Sequence, residues 1–165
     1  MITDLEMKKI ANEERIPLND VFLKDNPPSK LRSGGYIINL DDEATRRGGT
    51  HWVALWVPKK INQPLIYFDS FGFQPPDSII NMVKRRGGVW KNNRIIYNDL
   101  QIQDARDGYC GSYCLFFLKI MSRHPMTNSN PIEPFNFFKK LWDTNPKMND
   151  DLLKKYDFKI FFASK

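Results

Sequence analysis

Twelve consecutive residues, Cys110-Gly111-Ser112-Tyr113-Cys114-Leu115-Phe116-Phe117-Leu118-Lys119-Ile120-Met121, are apolar on nearly every side when wound into a helix. A surface helix sets an apolar stripe against a polar face, so a segment with almost no polar face belongs in the middle of a domain, covered by other elements. The rest of the chain has the material to cover it. Of 165 residues 41% are hydrophobic, and twelve Phe, six Tyr and four Trp bury enough surface to offset the entropy of ordering the chain, which argues against disorder. That length fits one compact core, so residues 1–165 are read as a single domain.

Thr3 and Glu6 stand at capping-box spacing, which predicts a first helix over 5–14 with Leu5, Ile10 and Ala11 as its buried stripe and Pro17 beyond its end. Asn26-Pro27-Pro28 and Ser33-Gly34-Gly35 read as turns, and 36–40 as a strand. After a polar loop over 41–50, the runs His51-Trp52-Val53-Ala54-Leu55-Trp56-Val57 and Pro64-Leu65-Ile66-Tyr67-Phe68-Asp69 are almost continuously apolar, as central strands are. Joined by 59–63 they form a hairpin, which sets His51 at the start of one strand beside Asp69 at the end of its neighbour. Helical spacing over 77–86 ends at Gly87-Gly88, 94–98 reads as another strand, and 135–142 as a last substantial helix before a basic tail. The expected fold is α+β, a mixed central sheet packed against a buried central helix that begins at Cys110.

The first residue of that helix is a candidate nucleophile. A sulfur at a helix N-terminus sits at the positive end of the dipole, where thiolate is favoured. Such a thiolate needs a base and a group to orient it. There are two histidines. His124 lies fourteen residues along the same helix, roughly 20 Å away at ~1.5 Å per residue, and is a poor partner. His51, where a loop enters a central strand, can reach a helix end across the sheet, with Asp69 on its other nitrogen. Cys114 faces the apolar stretch one turn on and is read as structural. The two cysteines share one helix, so they form no long-range staple, which points to a reducing compartment. Their spacing with the split histidines is a poor zinc pattern, and no metal is expected. Gly34-Gly35, Gly48-Gly49 and Gly87-Gly88 lack the Lys-Ser or Lys-Thr of a phosphate loop and read as turns, the second close enough to His51 to admit a substrate backbone.

Gly48-Gly49-Thr50-His51-Trp52, Tyr67-Phe68-Asp69-Ser70-Phe71-Gly72-Phe73, Gln103 and Cys110-Gly111 together resemble, in order and approximate spacing, the adenovirus maturation protease family, adenain, over about residues 16–149. The histidine, acid, glutamine and cysteine pattern is also similar to that of the SUMO-deconjugating proteases of the same clan. The resemblance implies a papain-like constellation in permuted order, with His51, Asp69 and Cys110 as triad and the Gln103 side chain, seven positions before the cysteine, supporting the oxyanion. Gln101 is less well spaced. Asp69 stands where adenain has a glutamate, so the orienting side chain is shorter. The family's peptide activator is tethered through a cysteine upstream of the glutamine. Residues 88–104 contain none, so a disulfide-linked activator is not expected here.

What the resemblance implies is peptide-bond hydrolysis through a thioester acyl-enzyme, acting on capsid or core precursor proteins of a DNA virus, in the virion and the host cytoplasm or nucleus. Three other readings stay open: an isopeptidase for ubiquitin-like modifiers, a protein acetyltransferase, and a non-catalytic basic capsid or DNA-binding protein. Lys and Arg exceed Asp and Glu by 25 to 19, a net charge of +6 that biases the chain toward polyanions. DNA is thus a candidate activator and partner, with Lys84, Arg85 and Arg86 as candidate contacts beside the plainer reading of a solvated helix face. No other cofactor is called for. No export signal or membrane span is visible, so secretion and a membrane partner are not expected, and a monomer is.

Overall fold

The computed structural model describes residues 2–41, 51–106 and 108–162. It opens with helix α1 (Asp4–Glu13) and continues through strands β1 (Leu18–Leu23), β2 (Gly34–Asn39), β3 (Trp52–Val57) and β4 (Leu65–Phe68), helix α2 (Asp77–Arg86), strand β5 (Ile95–Tyr97), the long helix α3 (Cys110–Arg123), and the helices α4 (Ile132–Lys139), α5 (Asn149–Tyr156) and α6 (Phe158–Phe162). The strands form one mixed sheet in the order β1-β2-β3-β4-β5, parallel at its two outer pairs and antiparallel at its two inner ones.

The sheet is covered on both faces, and the alternation of side chains along each strand sorts residues between them. Val53, Leu55 and Val57 of β3 and Leu65 and Tyr67 of β4 pack with Ile79, Met82 and Val83 of α2 on one face. Trp52, Ala54, Trp56, Ile66 and Phe68 face α3 on the other, where the Phe68 ring lies 5.0 Å from both Phe117 and Phe138. With one face of the sheet on one side of it, and α1, α4, α5 and α6 around it, α3 is buried at Cys110 through Leu118. This is the environment that a helix without a polar face requires. At Gly111 the helix has no room for a side chain: a Cβ there would stand 2.3 Å from Ile2 Cγ2 and 3.5 Å from Trp52 Cδ1.

Several sequence expectations need correction. The capping box at Thr3 and Glu6 is present, but Leu5 is 73% exposed and the buried residues of α1 are Met7 and Ala11. Ser33-Gly34-Gly35 is no simple turn. Both glycines belong to β2, where Gly34 takes a φ of +119°. β1, with only Val21 and Phe22 buried, lacks the apolar run that marks β3 and β4. The helix expected over 135–142 begins at Ile132, and the chain after it forms α5 and α6 where a basic tail was expected. Gly48-Gly49, and the basic pair Arg46-Arg47 that precedes it in the same polar loop, lie outside the described residues. Among the described residues no helix is long and apolar enough to cross a membrane.

Candidate active site

The hairpin of β3 and β4 has the register Ala54 to Phe68 and Trp56 to Ile66, which continued outward sets His51 opposite Phe71. The two rings do stack, with centroids 4.5 Å apart and planes 18° from parallel. The ring is thereby held edge-on to Asp69, whose Oδ1 lies 2.7 Å from His51 Nε2 and also accepts the Phe71 backbone N–H at 2.8 Å. Asp69 is 1% exposed. Its main chain is clamped by Asn98, just past β5. Asn98 Oδ1 accepts the Asp69 N–H at 3.1 Å, and its Nδ2 donates to the Asp69 carbonyl at 2.7 Å and to that of Leu100 at 3.1 Å. Two of these three hydrogen bonds fix the chain at the end of β4.

Cys110 is the first residue of α3, and no acidic side chain stands in that helix's first turn to neutralise the dipole. With Nε2 committed to Asp69, Nδ1 is the ring nitrogen left to face the sulfur. It is buried and makes no strict hydrogen bond among the described residues. The thiol is nevertheless near enough to act on the ring. Burial pushes the His51 pKa down, yet the hydrogen bonds and charges of Asp69 and Cys110 overcome it and lift it from 6.5 to about 9. At neutral pH the ring is therefore an imidazolium between two acidic groups. Cys114 is in the opposite condition. It is fully buried, its S–H points at the Trp52 carbonyl at 3.4 Å, and burial first, then the Cys110 and Asp69 charges, push its pKa well up, which keeps it a neutral thiol.

The first turn of α3 is braced from both sides. Tyr109 stacks on Phe161 of α6 at 4.7 Å and 20°, and Ser112 Oγ donates to the Ile160 carbonyl at 2.9 Å. Ile2 and Met7 approach it at Gly111. Gln103 lies on the segment between β5 and α3 and is completely buried, whereas Gln101 is exposed and donates its side chain to the Gln103 carbonyl at 3.1 Å. Ser70, the neighbour of Asp69, accepts the backbone N–H groups of both Ile102 and Gln103 at 2.9 Å.

The structure therefore brings His51, Asp69 and Cys110 into one cluster at the open end of the hairpin and ties Gln103 to it through Ser70. Lys84, Arg85 and Arg86 are elsewhere, exposed in the last turn of α2 on the opposite face of the sheet, where cations also complement the helix dipole. Sequence reasoning passed over Asn98 and Ser70. The available signal was a small polar residue directly after an apolar strand, a pattern shared with ordinary strand ends. Trp52 packs in the core against α3, and His124 caps the far end of that helix.

No protein-family model matches the chain. In sequence it is similar to the protease of Porcine adenovirus A serotype 3, 24% identical over 135 residues, which cover 74% of this chain and 65% of that protein. It is also similar to the protease of Bovine adenovirus 7, 31% identical over 100 residues covering 54% of this chain and 48% of that protein. The chain thus spans less than two thirds of the length of the one and about half of the other. Among solved structures it is similar to the ASFV pS273R protease, with a TM-score of 0.52 and 17% identity over 87% of this chain and 67% of that one. At that identity the likeness is one of fold. The resemblance to adenovirus proteases carried by the motifs is thus met in sequence comparison as well, and the α+β architecture is that of a viral protease of known structure.

Proposed function

We propose that this chain is a cysteine endopeptidase that cleaves viral capsid or core precursor proteins, with Cys110 as nucleophile, His51 as acid and base, Asp69 as its orienting partner and Gln103 as an oxyanion donor. The single observation that carries the reading is His51 Nε2 held 2.7 Å from the buried Asp69 carboxylate beside the helix end that Cys110 opens. An imidazolium beside a sulfur at a helix N-terminus favours the thiolate.

The chemistry follows from that ion pair. The Cys110 thiolate attacks the scissile carbonyl carbon. A C–S bond forms as the carbonyl π pair moves onto oxygen, and the oxyanion is met by the Gln103 amide and by the Cys110 backbone N–H at the start of α3. Collapse breaks the C–N bond, and the departing amine takes the proton from His51. The ring, now neutral, removes a proton from water as that water attacks the thioester, and expulsion of the thiolate restores the pair. Asp69 keeps the ring in place throughout and favours its charged form.

Activation by DNA is part of the same proposal and is supported by the net charge of +6 and by the three exposed cations that end α2. The test of function is incubation with the capsid proteins of the same genome, with and without DNA, followed by mass mapping of new termini. New termini made by the natural chain and not by Cys110→Ser support the endopeptidase. Cleavage of a modifier–fluorophore conjugate in their place would reassign the substrate to ubiquitin-like modifiers, and no cleavage of either would overturn the reading.

A further inference from the structure

An oxyanion donor is useful only if the donor edge faces the oxyanion, and a glutamine amide has two edges of nearly equal shape and opposite polarity. Turned over, Gln103 would present Oε1 to the developing negative charge and repel it. A neighbouring serine selects the edge. Ser70 Oγ lies 2.6 Å from Gln103 Oε1, and both residues are completely buried. That separation suits O–H···O, with the hydroxyl donating and the amide oxygen accepting. Burial of both side chains shields this contact from competition by water. The carbonyl of the same serine accepts the N–H groups of Ile102 and Gln103, so one residue fixes both the main chain and the side chain of the glutamine. Its chain neighbour, Asp69, holds His51.

We infer that Ser70 is a positioning residue for the oxyanion donor, whose hydroxyl takes the amide oxygen of Gln103 and so turns the amide nitrogen toward the reacting carbonyl. The inference rests on the assignment of Gln103 and Cys110 above. It links two parts of the site: a single short segment, Asp69-Ser70, orients the base with one residue and the oxyanion donor with the next.

The test compares the natural chain with Ser70→Ala, Gln103→Ala and the double variant on one peptide substrate, together with the rate at which iodoacetamide alkylates Cys110. Alkylation needs the thiolate and the fold but forms no oxyanion. Ser70→Ala is expected to lower kcat roughly tenfold to a hundredfold with KM within about twofold, short of the roughly hundred- to thousandfold loss for a missing donor. The double variant should be no slower than Gln103→Ala alone, because the serine acts only through the glutamine. The alkylation rate should stay as in the natural chain. Losses that multiply in the double variant, unchanged kcat in Ser70→Ala, or a matching fall in alkylation would each overturn the role. If turnover survives Cys110→Ala, the underlying assignment fails and takes this inference with it, an outcome distinct from the three before it.

Discussion

Replacing Asp69 with asparagine removes one charge and little volume, and its consequence can be worked out at His51. Lifting the ring from 6.5 to about 9 corresponds to about 3 kcal/mol in favour of the imidazolium, gained against a burial effect of opposite sign. In Asp69→Asn the Phe71 N–H still has its acceptor, but the carboxylate charge is gone and burial is opposed only by Cys110. The ring should then titrate near or below 6.5, at least two pH units lower. A group that must be protonated to serve the leaving amine works below its pKa and fails above it. Activity in the natural chain should therefore persist through pH 8 and fall through about 9, whereas in the variant the fall should come before pH 7. At pH 8.5 this alone amounts to roughly a fiftyfold to hundredfold loss by the same titration arithmetic. With only two histidines in the chain, an NMR titration reads His51 directly, and His124→Gln assigns the second signal. A natural-chain His51 titrating near 6.5, or one in Asp69→Asn still near 9, would refute the reasoning.

Cys110→Ser should abolish turnover with the fold intact, while Cys114→Ser keeps most of it, and mass mapping after brief alkylation at pH 7 should find label on Cys110 alone. Asn98→Ala strips Asp69 of two main-chain hydrogen bonds in a dry environment and should cost roughly 2–4 kcal/mol in urea denaturation, with kcat falling because the base loses its anchor. Alanine at Lys84, Arg85 and Arg86 should weaken DNA binding and flatten its salt dependence by up to about three phosphate contacts; an unchanged slope would assign these cations to solvent.

What the sequence discloses and what it hides divide along physical lines. β3, β4 and α3 are buried all round and carry runs of apolar residues that no other placement satisfies, so their positions and the meeting of His51 with Asp69 could be read directly. The Thr3–Glu6 capping box is equally local, since donor and acceptor are three residues apart. β1 was invisible because four of its six side chains are only partly buried, and α5 and α6 because helices of eight and five residues owe their stability to packing more than to propensity. Gly34-Gly35 misled because a glycine pair signals a turn, whereas here it begins β2. The roles of Ser70 and Asn98 depend on partners about thirty residues away, and no local pattern specifies such a distance.

The bracing of the first turn of α3 bears on the order in which the molecule comes together. Ile2 and Met7 press on it at Gly111, and Phe161 and Ile160 close it at Tyr109 and Ser112, so its neighbours come from segments about 150 residues apart. Loop closure over such a span is slow relative to forming the hairpin or the helix itself. The amides of residues 110–113 should accordingly be among the last protected in pulse-labelled hydrogen exchange during refolding. During synthesis, α3 emerges long before residue 161 can reach it. On the proposed assignment, a half-made chain holds Cys110 on an unmoored helix, and activity is expected only once residues 158–162 have been delivered.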